Sequence, residues 1–186
     1  MLFRSDPLRD FAPVVWGTTT PNVLVVHPSL SVKTVTDLIT LAKAKPGELN
    51  YGSGSSGSTS HLAAELFKSM AGVNLVRIAY KGSGPAMAAL LAGEFHLIFP
   101  SASTASATVK TGKARAIAVA SLKPTALAPG LPTLSESGLP GYESSSILGV
   151  FAAAKTPAAI VERLHQEFAR VLREPASKEQ IGRAHV

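Results

Sequence analysis

The sequence contains no cysteine, which removes disulfides, thiolate metal sites and cysteine nucleophiles at once and leaves the redox compartment open. Aromatic residues make up 6% of it, with a single tryptophan, and they are not interleaved with basic residues. No stacking platform for single-stranded nucleic acid is visible. Charged residues are also few, at 16%, which excludes a charged coiled coil. No apolar run approaches the ~20 residues that span a bilayer, so direct membrane insertion is not expected. The opening Met1-Leu2-Phe3-Arg4-Ser5-Asp6-Pro7 lacks the apolar region of a secretory signal, and by itself points to the cytoplasm.

The net charge of +6 raises the question of nucleic acid. The basic residues, among them Arg9, Lys33, Lys43, Lys68, Arg77, Lys81 and Lys113, are scattered. They read as solvated faces without a phosphate-binding run, and no nucleic acid partner is expected. A modest positive field still helps draw in small anions. The five histidines, His27, His61, His96, His165 and His185, show no i, i+4 pair and no acidic ligand pattern. No metal is expected, and His61 is placed at a helix start. No Gly-x-x-x-x-Gly-Lys-Ser/Thr loop is present, and no cofactor is expected.

What is present suits a compact α/β protein: 186 residues, 46% hydrophobic, with 15 Gly and 13 Pro to supply sharp turns. Apolar runs predict strands near 11–16 and 23–26. Thr34 with Asp37 predicts a capping box opening a helix that ends at Pro46-Gly47. Strand, loop and helix then alternate. A strand near 49–51 leads through a glycine-serine loop to a helix over 61–70, and a strand over 75–79 leads through Tyr80-Lys81-Gly82-Ser83-Gly84 to a helix opened by Pro85. A strand over 96–99 leads to a helix over 102–110, followed by a strand over 114–120. This order predicts a parallel-rich sheet. Residues 124–141 are turn-rich, 147–154 read as a strand, and Thr156-Pro157 starts a helix with Ile160, Leu164, Phe168 and Leu172 on one side.

The candidate site lies in the loops. In Tyr51-Gly52-Ser53-Gly54-Ser55-Ser56-Gly57-Ser58-Thr59-Ser60-His61, backbone amides and hydroxyls meet the unsatisfied donors and positive dipole end of a helix, which suits a carboxylate or phosphate. The same loop also fits an ordinary turn and cap. Tyr80-Lys81-Gly82 repeats the geometry one unit later, at the sheet edge where open α/β folds bind ligands. Lys81 alone also fits an exposed surface amine. Ser101 supplies a hydroxyl at a third helix start, where a plain N-cap is the competing reading. The serine-rich loop loosely resembles the glycine-serine signature of amidases, which makes a serine-dependent hydrolase an alternative function. No second motif supplies its base.

Leu8-Arg9-Asp10-Phe11-Ala12-Pro13-Val14, Pro21-Asn22-Val23-Leu24-Val25-Val26, Ala42-Lys43-Ala44-Lys45-Pro46-Gly47, His61-Leu62-Ala63-Ala64-Glu65-Leu66-Phe67, Tyr80-Lys81-Gly82, Leu131-Pro132-Thr133-Leu134 and Gly138-Leu139-Pro140-Gly141-Tyr142 follow one another in a recognisable order. Over nearly the whole chain this resembles the Bug-type receptors of tripartite tricarboxylate transporters. The resemblance implies a type II periplasmic-binding-protein fold with two α/β lobes. A small organic acid or related solute is enclosed between them and delivered to membrane permease subunits. It implies a periplasmic location, no enzymatic step, and ligand contacts from Ser53, Ser55, Ser56, Gly57, Ser58, Thr59, Tyr80, Lys81, Gly82 and Ser101. A ligand-sensing protein on the same fold is a further alternative.

The chain departs from the family pattern at Ser55-Ser56, where Gly-Asn is common, and at Pro100, where an acid is common. The second departure favours a plain dicarboxylate or aromatic acid over an amino acid. The resemblance also implies an incomplete chain, without a signal peptide and the first strand and glycine-rich loop. Residues 181–186 resemble an artefactual tail. The expected lobes are 22–120 as a nearly complete one, with 1–21 and 121–180 in the other, and hinges near Thr20 to Pro21 and Ala120 to Lys123.

Overall fold

The computed structural model describes residues 6–175 of the chain. The expectation for 181–186 and the reading of His185 lie outside the described residues. Two compact units are present: Thr20–Ser146, and a second drawn from the described parts of Met1–Thr19 and Ile147–Val186.

The larger unit is built on a five-stranded sheet in the order β4-β3-β5-β2-β6. Its strands are β2 (Val23–Val26), β3 (Asn50–Ser53), β4 (Val76–Ala79), β5 (Leu97–Ile98) and β6 (Arg115–Val119). β3 runs parallel to β4 and β5, whereas β2 is antiparallel to β5 and β6. Four strands therefore point one way and β2 opposes them. The apolar run of β2 encodes burial on both faces but not direction. Leu24 and Val26 belong to one core, Val23 and Val25 to the other, which is the two-residue period of a strand covered on both sides.

Helices α2 (Val35–Ala44) and α3 (Thr59–Ala71) pack on the first face, and α4 (Ser83–Leu91) and α5 (Ala102–Lys110) on the second. The capping box of α2 forms as its sequence predicts: Thr34 Oγ1 accepts from the Asp37 amide at 3.1 Å, and Asp37 Oδ2 accepts from the Thr34 amide at 3.0 Å. The backbone hydrogen bond from Lys33, then those from Thr34, hold Asp37 below the usual carboxylate range. α3 closes at Gly72, whose φ of 63° makes the left-handed turn open to glycine. Gly52 is required by packing, because a Cβ there would lie 2.1 Å from the Phe95 ring.

The segment 121–146 packs with the larger unit instead of returning to the other lobe, and the second chain crossing falls at Ser146 and Ile147 instead of Ala120 to Lys123. The reason is burial. Leu134, Leu139 and Tyr142 are at most 3% exposed in the first core, and Tyr142 Oη donates to Ala63 O at 2.7 Å.

The smaller unit contains α1 (Pro7–Asp10), most of β1 (Phe11–Pro21) and β7 (Ser145–Ala153), and α6 (Ala158–Arg173). β1 and β7 form a separate two-stranded sheet. His165 Nδ1 donates to Val14 O at 2.7 Å and ties α6 to β1. Ile160, Leu164 and Phe168 share one face of α6, as their spacing predicts, yet they are 51%, 37% and 38% exposed. Among the described residues no helix is long and apolar enough to cross a membrane.

Candidate anion site at neighbouring helix starts

Because β3, β4 and β5 are mutually parallel, the loops that follow them leave the same edge of the sheet. Ser53 pairs in register with Ala79, and the Tyr80 amide donates to Ser53 O at 2.8 Å, so the first two loops begin side by side. They stay together: a methyl group added at Gly54 would lie 3.8 Å from Gly82 Cα.

The glycine-serine loop holds its own shape. The Ser58 amide donates to Ser55 O at 3.0 Å, the Gly54 amide to Ser60 Oγ at 3.2 Å and the Gly57 amide to His61 Nδ1 at 3.0 Å. Ser58 is the N-cap of α3, its Oγ accepting from the His61 amide at 3.4 Å. Gly57 takes a φ of 80°, which its lack of a Cβ permits. The amides of Ser55, Ser56 and Thr59, all in exposed residues, have no intramolecular partner among the described residues. At the start of α4, Gly82 caps without a side chain, the amides of Ser83 and Gly84 are likewise unpaired, and Pro85 has none to offer. Two helix N-termini thus present free donors at one edge, an arrangement that stabilises negative charge.

The expected site residues divide by what their side chains already do. Ser55, Ser56, Gly57, Thr59 and Lys81 are exposed at this edge, and Lys81 makes no ion pair among the described residues. Ser53 is fully buried: its Oγ donates to Gly54 O at 3.2 Å and accepts from Arg77 Nε at 2.7 Å. Tyr80 turns its hydroxyl to Glu94 Oε2 at 2.9 Å and its ring to Phe95, centroids 5.6 Å apart. Burial, then the Glu94 hydrogen bond, raise its ionisation above the ordinary tyrosine range. Ser101 is the N-cap of α5, bonded to the Thr104 amide at 3.3 Å and to the hydroxyls of Ser103 and Thr104 at 3.0 and 2.8 Å.

Three residues escaped the sequence reading. Arg77, on β4, reaches forward to the glycine-serine loop. Its clue is a long cation between the apolar Val76 and Ile78 of a strand. Ser146 brings its hydroxyl to Thr59 Oγ1 at 2.9 Å across 87 residues of sequence, with no local signal. Asn22, fully buried, donates from Nδ2 to Phe99 O at 2.9 Å and accepts from Ser144 Oγ at 3.1 Å, tying the stretch before Ser101 to the stretch before Ser146.

Behind the site, Tyr51 Oη donates to Glu65, and Lys68 Nζ bonds both Glu65 oxygens at 2.8 and 3.0 Å. Burial alone would raise Glu65, but the hydrogen bonds from Lys68 and Tyr51 hold its carboxyl below the ordinary range. Lys68 thus neutralises the one carboxylate of α3, so Glu65 does not oppose an anion at the helix start. None of the loop hydroxyls bonds a lysine amine or an imidazole nitrogen among the described residues. No metal-ligating cluster is present among them either.

A family model described as the tripartite tricarboxylate transporter family receptor matches residues 3–186. A UPF0065 protein in the tcbD-tcbE intergenic region of a Pseudomonas species is 37% identical over 174 residues, 93% of this chain and 51% of that protein. The structure of an R. palustris protein with adipate superposes with a TM-score of 0.90 at 38% identity, covering 97% of this chain and 61% of that one. The periplasmic binding protein BugD superposes with a TM-score of 0.87 at 28% identity, covering 93% of this chain and 58% of that one. The chain thus spans about half the length of the curated relative and shares the α/β fold of these solved structures.

Proposed function

The chain belongs to the tripartite tricarboxylate transporter receptor family, and from that premise we propose that it holds the carboxylate of a small organic acid for delivery to a membrane permease. The supporting observation is the pair of neighbouring helix starts, with Gly54 close to Gly82 and with the amides of Ser55, Ser56, Thr59, Ser83 and Gly84 unpaired among the described residues. In this reading the carboxylate oxygens take donors from the Ser55–Thr59 stretch on one side and from Ser83 and Gly84 on the other. The Lys81 ammonium adds long-range attraction. No covalent chemistry is needed, since preorganised donors bind an anion without turnover. The R. palustris relative solved with adipate supports a plain dicarboxylate as the ligand class. Family membership supports a periplasmic location and a permease partner for the whole protein.

Calorimetric titration with adipate and related mono-, di- and tricarboxylates tests this. The protein is expected to bind at least one of them, and Ser58→Ala with Thr59→Ala to weaken binding by ~1.5–3 kcal/mol, the contribution of a hydrogen bond to a charged group. Absence of heat and of any thermal shift across the series would sink the proposal.

A further inference from the structure

The guanidinium of Arg77 makes three hydrogen bonds, all to one turn. Nε donates to Ser53 Oγ at 2.7 Å, Nη1 to Ser56 Oγ at 3.0 Å and Nη2 to Gly54 O at 2.9 Å. These acceptors bracket the Ser53–Ser56 turn from both ends, so a rigid planar fork fixes the separation of the turn's two limbs. No carboxylate pairs with Arg77 among the described ion pairs. Its charge therefore has no ion-pair partner among the described residues and sits directly behind the loop.

The two serines it touches then differ in where their protons go. Ser53 accepts from Arg77 and donates to Gly54 O, so its hydroxyl is spent inside the loop. Ser56 accepts from Arg77 and donates to no group among the described residues, and it is exposed. A hydroxyl whose oxygen receives a charged donor becomes a stronger donor itself.

We propose that Arg77 is a positioning residue for the carboxylate site, locking the Gly54–Ser56 turn and directing the Ser56 hydroxyl outward as a polarised donor. This rests on the carboxylate reading of the loop. It assigns Ser56, and not Ser53, as a side-chain contact to the anion, and places the positive charge one hydroxyl away from the ligand.

The test uses R77M, R77K, S56A and the double variant R77M/S56A, with adipate affinity measured by calorimetry. Ligand-free amide exchange is followed over residues 53–59 and, as a control, over 35–44. R77M is expected to weaken adipate binding about 10-fold or more and to speed exchange over 53–59 while 35–44 stays protected. The double variant should bind no worse than R77M alone, because Ser56 depends on Arg77 for its orientation. R77K keeps the charge but cannot reach three acceptors at once, so it should recover little; it also carries the test if R77M does not fold. Unchanged affinity in R77M, unchanged loop exchange, full recovery in R77K, or additive losses in the double variant would each overturn the proposal. Should the unaltered protein bind no carboxylate, the receptor reading fails instead, and loop exchange alone decides whether Arg77 holds the turn.

Discussion

The two units treat the same kind of residue in opposite ways. In the larger one, Tyr51, Phe67, Phe99 and Tyr142 are all 0% exposed, whereas in the smaller one Trp16, Phe151 and Leu148 are 63%, 62% and 67% exposed. Local pattern does not separate them, since α6 has as regular an apolar stripe as α2 or α3. What differs is layering. The larger unit covers both faces of a five-stranded sheet with helices, while the smaller builds on a two-stranded sheet, an arrangement that is marginal in water. The edge with the two neighbouring helix starts belongs to the well-packed unit, where rigid strands can hold donors in place.

The comparison would be broken most severely by separating the units. Residues 20–146 produced alone are expected to keep a single cooperative unfolding transition, because both core clusters lie within that stretch. A gradual, non-cooperative denaturant profile would show that the larger unit is not self-sufficient. Next in size is a matched pair of truncations. Phe99 packs on Phe67 and Tyr142, at centroid distances of 5.6 and 6.4 Å, and Phe99→Ala is expected to cost ~3–5 kcal/mol. Phe151→Ala, at an exposed position, should cost less than about 1 kcal/mol. Equal losses in chemical denaturation would remove the distinction.

A smaller effect separates buried hydroxyls from the rest. Tyr142→Phe removes the hydroxyl that donates to the Ala63 carbonyl and is expected to cost ~1–2 kcal/mol. Burial raises the ionisation of Tyr142 well above its ordinary value of 10.0. The folded state therefore binds the proton more tightly than the unfolded one. The resulting stability is complete below about pH 10 and is lost as pH rises beyond it. Unfolding midpoints measured on either side of that pH should fall on the alkaline side, and less steeply in Tyr142→Phe. An unchanged slope would count against burial as the cause.

Features set by neighbouring residues were legible in the sequence. The α2 capping box, the all-buried β2 run and the order of strand, loop and helix depend on nearby positions. The direction of β2 and the allegiance of 121–146 were not legible, since they rest on distant pairings such as Tyr142 with Ala63, 79 residues apart. The site divides in the same way. Glycine, serine and a following helix announce a loop rich in donors, but nothing local says which hydroxyls the fold itself consumes. Ser53 and Tyr80 are bonded inward, to Arg77 and Glu94, by partners on other elements. Arg77 itself was invisible because charges along a chain are read one at a time, and its meaning lies in three acceptors on the neighbouring strand and loop.

The smallest effect makes the sharpest contrast, because it sets one arginine against another. On α6, Arg170 makes hydrogen bonds of 3.1 and 2.9 Å to Glu167 and of 3.4 Å to Glu174, as many contacts as Arg77 makes. Its side chain is 67% exposed, and those of Glu167 and Glu174 are 58% and 50% exposed. Water and salt compete for every one of these bonds, and ordering three long side chains offsets what the pairs contribute. Arg170→Met is therefore expected to leave the unfolding midpoint unchanged at both low and high salt. A salt-dependent fall in the midpoint would mean that exposed contacts to Glu167 and Glu174 stabilise the fold despite competition from water.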